Sequence, residues 1–331
     1  MAKKLTHSEI RQSYVHNRMV IIAPKRGARP HNLADKPEKP APQLPRDAKD
    51  PFSPENLKNV KALLTLKGPV KPWTVKVIKN IFPAVSLDND DAYGTQEVVV
   101  ETPDNYVDLE ELSVEHIDTV LEAYQKRTKV LAQNNRLQYI LIFKNEGGRA
   151  GSSIEHSHSQ IFSSGFVPPH VLEKLRRAEE YKIHHGISYY MDLLKREKNG
   201  PRWVMEEDGI AALTPYASYY NYEVWIMPTR PVDNITQLTN KERRAMANII
   251  KKLLHKIDGL GLPYNFYLHQ VVKYDQEHLY IRLAPRKAIW AGVELGTRLI
   301  INSVPPEEAA AFYRETPKKN RLTKKQPKHS R

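Results

Sequence analysis

The segment Asn145-Glu-Gly-Gly-Arg-Ala-Gly-Ser-Ser-Ile-Glu-His-Ser-His-Ser-Gln160 decides how the rest of the chain is interpreted. A β-rich run at residues 137–143 leads into its glycines and serines, and the segment ends in the pattern His156-x-His158-x-Gln160. Residues two apart on a strand face the same side, so both imidazoles and the carboxamide are predicted to line up beside loop N–H groups. Imidazole is a nucleophile or a metal ligand near neutral pH, and loop N–H groups bind anions. The segment therefore predicts chemistry on a phosphate.

Length and composition indicate a globular protein. The 331 residues, of which 40% are hydrophobic, suit two domains or one duplicated fold with ample core. No apolar run is long enough to span a bilayer, and the basic N-terminus lacks the apolar region of a signal peptide. The absence of cysteine excludes disulfides, thiolate zinc sites and cysteine nucleophiles, and it is compatible with the cytoplasmic location that we expect.

The positive charge is unevenly distributed. Of the net charge of +13, seven charges belong to Lys and Arg residues within 316–331, a stretch without acidic residues, which leaves +6 for the rest of the chain. A basic body suits an anionic substrate such as a nucleotide. The tail has no residues that could build a core, so we expect it to be disordered. Two roles stay open for it, contact with nucleic acid and a solubilising end.

The chain repeats itself at a spacing of about 125 residues. Glu223-Val-Trp-Ile matches Glu97-Val-Val-Val, and Leu238-Thr239 matches Leu112-Ser113. Each of the second pair precedes a predicted helix, one over residues 114–131 with Ser113 as N-cap and one opened by the capping box Thr239-x-x-Glu242. We infer two copies of a strand–strand–helix–strand–strand unit.

The second copy departs from the first at the motif itself. His278-x-Tyr280-x-Arg282 stands where His156-x-His158-x-Gln160 stands in the first copy. Only the first copy keeps the second histidine and the glutamine. One catalytic centre per chain is therefore expected.

These residues resemble the galactose-1-phosphate uridylyltransferase family, a two-repeat branch of the histidine-triad superfamily. The resemblance implies an α+β fold of tandem duplicated histidine-triad-like repeats, each an antiparallel sheet with a packed helix. It implies a first repeat at 1–200 with the active site, a degenerate repeat at 201–315 and the basic tail at 316–331. The segments that carry it are residues 20–30, 73–84, 97–104, 145–160, 222–228, 264–270 and 291–297.

The implied activity is transfer of a nucleoside monophosphate between a nucleotide sugar and a sugar phosphate through a covalent nucleotidyl-histidine. UDP-glucose with galactose 1-phosphate is the simplest pair of substrates. Ser157 stands where the uridylyltransferases usually carry Pro, and in this it looks like the ADP-glucose phosphorylases, which move AMP. A non-catalytic nucleotide- or RNA-binding protein on the same scaffold is the alternative from another class.

The resemblance also implies roles for single residues. His158 is the nucleophile, Gln160 binds the non-bridging oxygens and His156 orients its neighbour. The implied substrate-binding residues fall into four groups: Arg26 and Arg29 for the sugar phosphate; Asn145, Gly151, Ser152 and Ser153 for the phosphates; Phe52 and Asn80 for base and ribose; and Glu294 for the hexose in the partner subunit's site, which implies a homodimer. For the arginines, Phe52, Asn80 and Glu294, ordinary surface or packing roles stay open.

The metal sites of the family are incomplete here. Its zinc ligands, two thiolates and an imidazole, are replaced by Asp50, Ser53 and Asn105, so we predict no zinc and no other cofactor. At a second, iron-like site His269 and His278 remain, but Tyr280 replaces the third histidine; we assign no metal there, and whether that site is occupied stays open. Arg298 stands where the family usually has a hexose-side Gly, which leaves the identity of the sugar open.

Overall fold

The computed structural model describes residues 5–28, 50–68, 70–272 and 278–315. Its strands are β1 Glu9–Gln12, β2 Met19–Ile22, β3 Ala62–Leu66, β4 Val75–Lys79, β5 Gly94–Val100, β6 Tyr139–Glu146, β7 His158–Ser164, β8 Trp203–Glu207, β9 Ile210–Leu213, β10 Val224–Pro228, β11 Tyr264–His269, β12 Tyr280–Pro285 and β13 Ile300–Asn302. Its helices are α1 Val114–Leu131, α2 Pro169–His185, α3 Tyr189–Glu197, α4 Asn240–Asp258, α5 Gly292–Thr297 and α6 Pro306–Arg314.

Ten strands form one antiparallel sheet in the order β3-β4-β5-β7-β6-β11-β12-β10-β9-β8. The succession β4-β5-α1-β6-β7 of the first half returns as β9-β10-α4-β11-β12 in the second. The halves join where β6 pairs with β11, with Phe143 opposite Tyr267 and Glu146 opposite Tyr264. The predicted α+β class with antiparallel sheet and packed helices is confirmed, and the two repeats share one sheet.

The two long helices begin where the sequence predicts. The Ser113 side chain accepts a hydrogen bond from the His116 N–H at 3.1 Å and starts α1. Thr239 and Glu242 form the predicted capping box of α4. Each cap satisfies backbone N–H groups that have no partner within the helix.

Helices α1 and α4 pack on the same face of the sheet. Their apolar stripes share one core cluster with alternate strand residues such as Val99, Ile142 and Ile161 of the first half and Val224 and Ile281 of the second. Because side chains alternate along a strand, the residues between these face the opposite side. That opposite face carries the candidate site.

Different segments cover the opposite face in the two halves. In the first half Phe52, Leu57 and Trp73 pack against Val98 and Val100. In the second half α2 and α3 pack over Trp225 and Tyr280 of β10 and β12. α2 stops before α3 because its C-cap is Gly186, whose φ of 70° is the left-handed conformation that glycine tolerates.

The termini combine in a way that the sequence does not reveal. β1 and β2 belong to a separate sheet with β13, which pairs with β2 in parallel. The tail at 316–331 lies wholly outside the described residues. Within the described ranges no helix is both long and apolar enough to cross a membrane.

Candidate active site

Strand β7 begins at His158, so the motif divides into two parts. His158 and Gln160 share one face of the sheet, as predicted, and that face is the one opposite α1. His156 precedes the strand, and the prediction that all three residues share one strand was wrong. Its ring nitrogens lie 2.8 Å from Asp50 Oδ2 and 2.7 Å from the Thr102 carbonyl oxygen. These contacts hold the His156 ring in the wall of the site.

The contacts of His158 define its tautomer. Its Nδ1 lies 2.8 Å from the backbone carbonyl oxygen of His156. A carbonyl oxygen only accepts, so Nδ1 carries the proton and Nε2 keeps a lone pair. Among the described residues no hydrogen bond to Nε2 is found. The ring lies 5.2 Å from that of Phe52, centroid to centroid, and His156 orients its neighbour through its backbone.

The surroundings also keep His158 uncharged. The residue is 8% exposed, and burial lowers the pKa of its imidazole below the usual 6.5. The nearby Lys144 ammonium lowers that pKa further, against the hydrogen bond to His156, which raises it. Near neutral pH the ring is therefore a neutral nucleophile that needs no separate base.

A buried ion pair supports this strand from the helix side. The Lys144 ammonium donates to Glu101 at 2.9 Å, to Ser157 Oγ at 3.0 Å and to the carbonyl oxygen of His158 at 3.2 Å. Burial alone would raise the pKa of Glu101, but Lys144 and neighbouring hydroxyl groups lower it overall. The pair is thus charged, and it fixes the backbone from which His158 projects.

Gln160 lies among other amides. Its Oε1 accepts from Gln96 Nε2 at 2.6 Å and from Asn80 Nδ2 at 3.4 Å. These contacts leave its NH2 group as a donor on the face that carries His158. Asn80, predicted to lie near the base and ribose, is therefore brought beside Gln160.

The loop before the motif turns on two glycines. Gly147 and Gly151 have φ of 84° and 89°, which are strained for other residues. Asn145 Oδ1 accepts from Asn265 Nδ2 at 2.8 Å, so the Asn145 NH2 group is left as a donor. It lies 3.7 Å from the position that a Cβ on Gly151 would occupy. Ser152 Oγ donates to the carbonyl oxygen of Ile154 at 2.8 Å.

Comparison with known proteins identifies the family. Models described as the N-terminal and C-terminal domains of galactose-1-phosphate uridyl transferase match residues 71–168 and 174–285. A galactose-1-phosphate uridylyltransferase of Thermotoga maritima is 30% identical over 69% of this chain and 76% of its own length. This chain belongs to the galactose-1-phosphate uridylyltransferase family.

A relative with a different name matches more of this chain. An ADP-glucose phosphorylase of Arabidopsis thaliana is 28% identical over 93% of this chain and 92% of its own length. The crystal structure of an ADP-glucose phosphorylase from that plant with bound ADP-glucose superposes with a TM-score of 0.82, over 94% of this chain and 99% of that one.

Other predicted site residues lie apart from this cluster or outside the described part of the chain. Arg26 is exposed in a short 3-10 helix at Pro24–Ala28, and Arg29 lies outside the described residues. Ser153 is exposed in the loop. Glu294 lies on α5, where its carboxylate accepts from the Ala291 N–H at 3.0 Å. No contact of Arg26 or Glu294 with His158 is found among the described residues.

The donors at the family's zinc position are engaged with the protein itself. Asp50 binds His156 and accepts from the Phe52 N–H at 3.0 Å, and Ser53 Oγ accepts from the Asn56 N–H at 3.3 Å. The two thiolates of the family site are replaced by a carboxylate and a hydroxyl group, and its imidazole by the exposed amide of Asn105. This donor set does not fit zinc.

At the second metal position a lysine side chain of the protein occupies one of the histidines. His269 Nδ1 accepts from the Lys174 ammonium at 3.0 Å, and His278 Nε2 donates to the carbonyl oxygen of Pro228 at 2.9 Å. Across the described ranges no group of three or more His, Cys, Asp or Glu side chains could hold a metal ion. These residues do not fit a metal either.

Sequence reasoning missed the residues that support the motif. Lys144 on β6 and Glu101 just after β5 lie 43 positions apart, and Gln96 lies 64 positions from Gln160. A lysine directly after an apolar run, Ile140-Leu-Ile-Phe143, was a signal of a buried charge. Nothing in the sequence marks Gln96.

Proposed function

We propose that this chain transfers a nucleoside monophosphate from a nucleotide sugar to an acceptor phosphate through a covalent bond to His158. The observation that carries the proposal is the state of one ring. The imidazole is neutral, its Nδ1–H is bound to its own chain, and its Nε2 lone pair lies on the sheet face beside the Gln160 amide. A group with these properties can attack phosphorus.

The reaction proceeds in two displacements. His158 Nε2 attacks the α-phosphorus, the N–P bond forms, and the bond from phosphorus to the bridging oxygen breaks, so that the sugar phosphate leaves with the electron pair. An oxygen of the acceptor phosphate then attacks the same phosphorus, and the N–P bond breaks. The covalent intermediate divides one difficult displacement into two easier steps.

Donors surround the path of the phosphate. The NH2 groups of Gln160 and Asn145 are left over by their other contacts. These two amides stabilise charge on the non-bridging oxygens, where preorganised donors act most strongly. The N–H groups of Ala150, Gly151 and Ser152 donate to carbonyl oxygens of Gly147 and Gly148 and hold the loop in shape. Neither amide supplies a proton, which suits transfer to phosphate rather than to water. Arg26 and Arg29 are proposed to bind the departing and accepting phosphate groups bidentately.

Two nucleotides are candidates. Uridylyl transfer between UDP-glucose and galactose 1-phosphate is the activity that the family name carries. Adenylyl transfer from ADP-glucose is favoured by the nearly complete overlap with the relative of that name and by Ser157. The Ser157 hydroxyl donates to Glu101 at 2.7 Å and accepts from Lys144, contacts that a proline could not make.

A labelling experiment tests the proposal and separates the candidates. Purified protein is incubated with UDP-glucose or ADP-glucose labelled at the α-phosphorus, quenched in alkali and run on a denaturing gel. We expect an acid-labile, alkali-stable adduct with one of the two, none with His158→Asn, and an adduct with the control Tyr280→Phe. Absence of an adduct with both nucleotide sugars, or an equal adduct in His158→Asn, rules the proposal out.

We propose that the site works without zinc, with the contact between Asp50 and His156 joining the segments that zinc joins in other family members. Elemental analysis of the purified protein is expected to find much less than one zinc per chain. Adduct formation is expected to withstand a chelator. One zinc per chain, lost together with activity, would contradict this.

A cytoplasmic homodimer in which Glu294 serves the partner's site is also proposed. Val293 and Leu295, which flank Glu294 on α5, are 48% and 71% exposed, and such apolar surface suits contact with a second copy. Light scattering on the eluting protein tests the dimer. Mixing His158→Asn with Glu294→Ala tests the shared site, because activity above that of either variant requires exchange between subunits.

A further inference from the structure

The hairpin between β4 and β5 brings two amide side chains to the edge of the candidate site. Asn80 follows β4, and its backbone N–H donates to the carbonyl oxygen of Gln96 on β5 at 2.9 Å. Gln96 lies on the same face of the sheet as Gln160, since Val98, two residues on, is opposite Gln160 in the strand register. Both side chains therefore flank Gln160.

Backbone N–H groups of the hairpin fix the direction of these two amides. The Ala84 N–H donates to Gln96 Oε1 at 3.2 Å, and the Phe82 N–H donates to Asn80 Oδ1 at 2.8 Å. A peptide N–H can only donate, so the atom that faces it must be the amide oxygen. The usual ambiguity between oxygen and nitrogen of an amide is thereby removed for both residues.

The orientation of these two amides fixes the orientation of the Gln160 amide. With their oxygens turned to the hairpin, Gln96 and Asn80 present NH2 groups to Gln160, at 2.6 and 3.4 Å. Two donors require an acceptor between them, which only Oε1 of Gln160 can be. The NH2 group of Gln160 is then left for the substrate. At 2.6 Å the contact with Gln96 is the stronger of the two.

We infer that Gln96 is a positioning residue for nucleotidyl transfer, which turns Gln160 so that it donates to the phosphate oxygens instead of presenting its carbonyl oxygen to them. The inference rests on the proposed function. A reversed Gln160 would place a partial negative charge against the anionic oxygens of the phosphate. Asn80 supports the same orientation through its longer contact.

Two substitutions of Gln96 separate direction from packing. Gln96→Met keeps the length of the side chain but neither donates nor accepts, so Gln160 keeps only the contact from Asn80. Gln96→Glu keeps the acceptor for the Ala84 N–H but places a carboxylate oxygen opposite Gln160, which then has to turn its NH2 group away from the substrate. Gln133→Met, at an exposed glutamine beyond α1, is the matched control.

The rate of nucleotidyl-His158 formation in a single turnover is the readout. We expect about a 100-fold loss for Gln96→Glu, the lower end of the scale found when one preorganised donor is removed, and a smaller loss of about 10-fold for Gln96→Met, which leaves the contact from Asn80. The apparent affinity for the nucleotide sugar and the thermal midpoint should change little, and Gln133→Met should match wild type. In a Gln160→Met background, Gln96→Met should cause no further loss, because the two residues act as one unit.

The outcomes distinguish this inference from the proposal beneath it. If wild type forms no adduct, the proposed function fails. If wild type forms it and both Gln96 variants react within twofold of wild type, only the positioning role fails. An equal loss from Gln96→Met with and without Gln160 would also overturn it, since the effect would then not pass through Gln160.

Discussion

On the face of the sheet opposite α1 and α4, the first half carries the candidate site and the second half carries a packed core. On β7, His158 uses one ring nitrogen for its own backbone and Gln160 uses only its oxygen for neighbouring amides. Each residue keeps a polar group for a substrate. The first half thus combines a supported backbone with side chains whose hydrogen bonding is incomplete.

On β12, the corresponding residues Tyr280 and Arg282 both contact the same histidine. His16 Nε2 lies 3.1 Å from both the Tyr280 hydroxyl oxygen and an NH2 group of Arg282. Tyr280 is fully buried, stacked on Trp225 at 4.5 Å and on His269 at 4.2 Å between centroids. The Arg282 Nε lies 3.0 Å from Glu223, an ion pair whose N–H is not aligned for a hydrogen bond. These residues form a core.

The difference shows what separates a site from a core on one scaffold. Both faces contain buried aromatic and polar groups, so burial does not distinguish them. What does is access: in the second half Arg282 Nε and His269 Nε2, which have no hydrogen bond among the described residues, are sealed in the core, whereas no unpartnered atom of His158 or Gln160 is sealed in this way. A sealed polar group without a partner costs free energy, but a group open to a ligand can be completed by it.

The largest effect is expected from replacing His158, with the corresponding residue of the second half, Tyr280, as the comparison. His158→Asn removes the nucleophile and should lower the rate of transfer by about 10⁴-fold or more. Tyr280→Phe, at the corresponding position of β12, removes one hydroxyl group in a core and should leave the rate within about threefold. Steady-state transfer between a nucleotide sugar and an acceptor phosphate measures both, and a large loss in Tyr280→Phe would break the comparison.

The next effect concerns the ion pair behind β7. Lys144→Met would leave the Glu101 carboxylate buried without a cation, and breaking such a pair costs about 3–5 kcal/mol of unfolding free energy. Lys126→Met, in the exposed pair with Glu122 on α1, should cost less than about 1 kcal/mol. Denaturant unfolding measures both variants. Equal losses would mean that the buried pair does not support the strand.

Sequence alone predicts the features that depend on short range. The caps of α1 and α4 and the placement of His158 on a strand follow from local patterns and from the repeat. The pairing of β2 with β13 could not be predicted, because it joins residues about 280 positions apart. The ring of His156 was misplaced for a similar reason, since its partner Asp50 lies 106 positions away.

The pH dependence of the first displacement tests the state of His158. Burial and Lys144 hold the pKa of its imidazole below 6.5, so the reactive neutral form persists as pH falls past that value. The rate of adduct formation should stay level from pH 8 to about 6.5 and fall only at lower pH, as Nε2 takes up a proton. The first displacement must be measured alone, because an acceptor phosphate titrates near pH 6. An acid limb at or above 6.5 would contradict the neutral ring.

The smallest effect is expected from rebuilding the motif in the second half. Tyr280→His with Arg282→Gln restores the residue types of the first copy, and in a His158→Asn background any label must come from β12. We expect no adduct by intact-protein mass spectrometry. Trp225 and His269 pack against both faces of the ring at position 280, His16 remains beside it to satisfy the introduced polar groups, and Glu223 would lose its cation. A stoichiometry near one per chain would show that residue types alone make the site, and that the access of a ligand to the polar groups of β7 is not what distinguishes it.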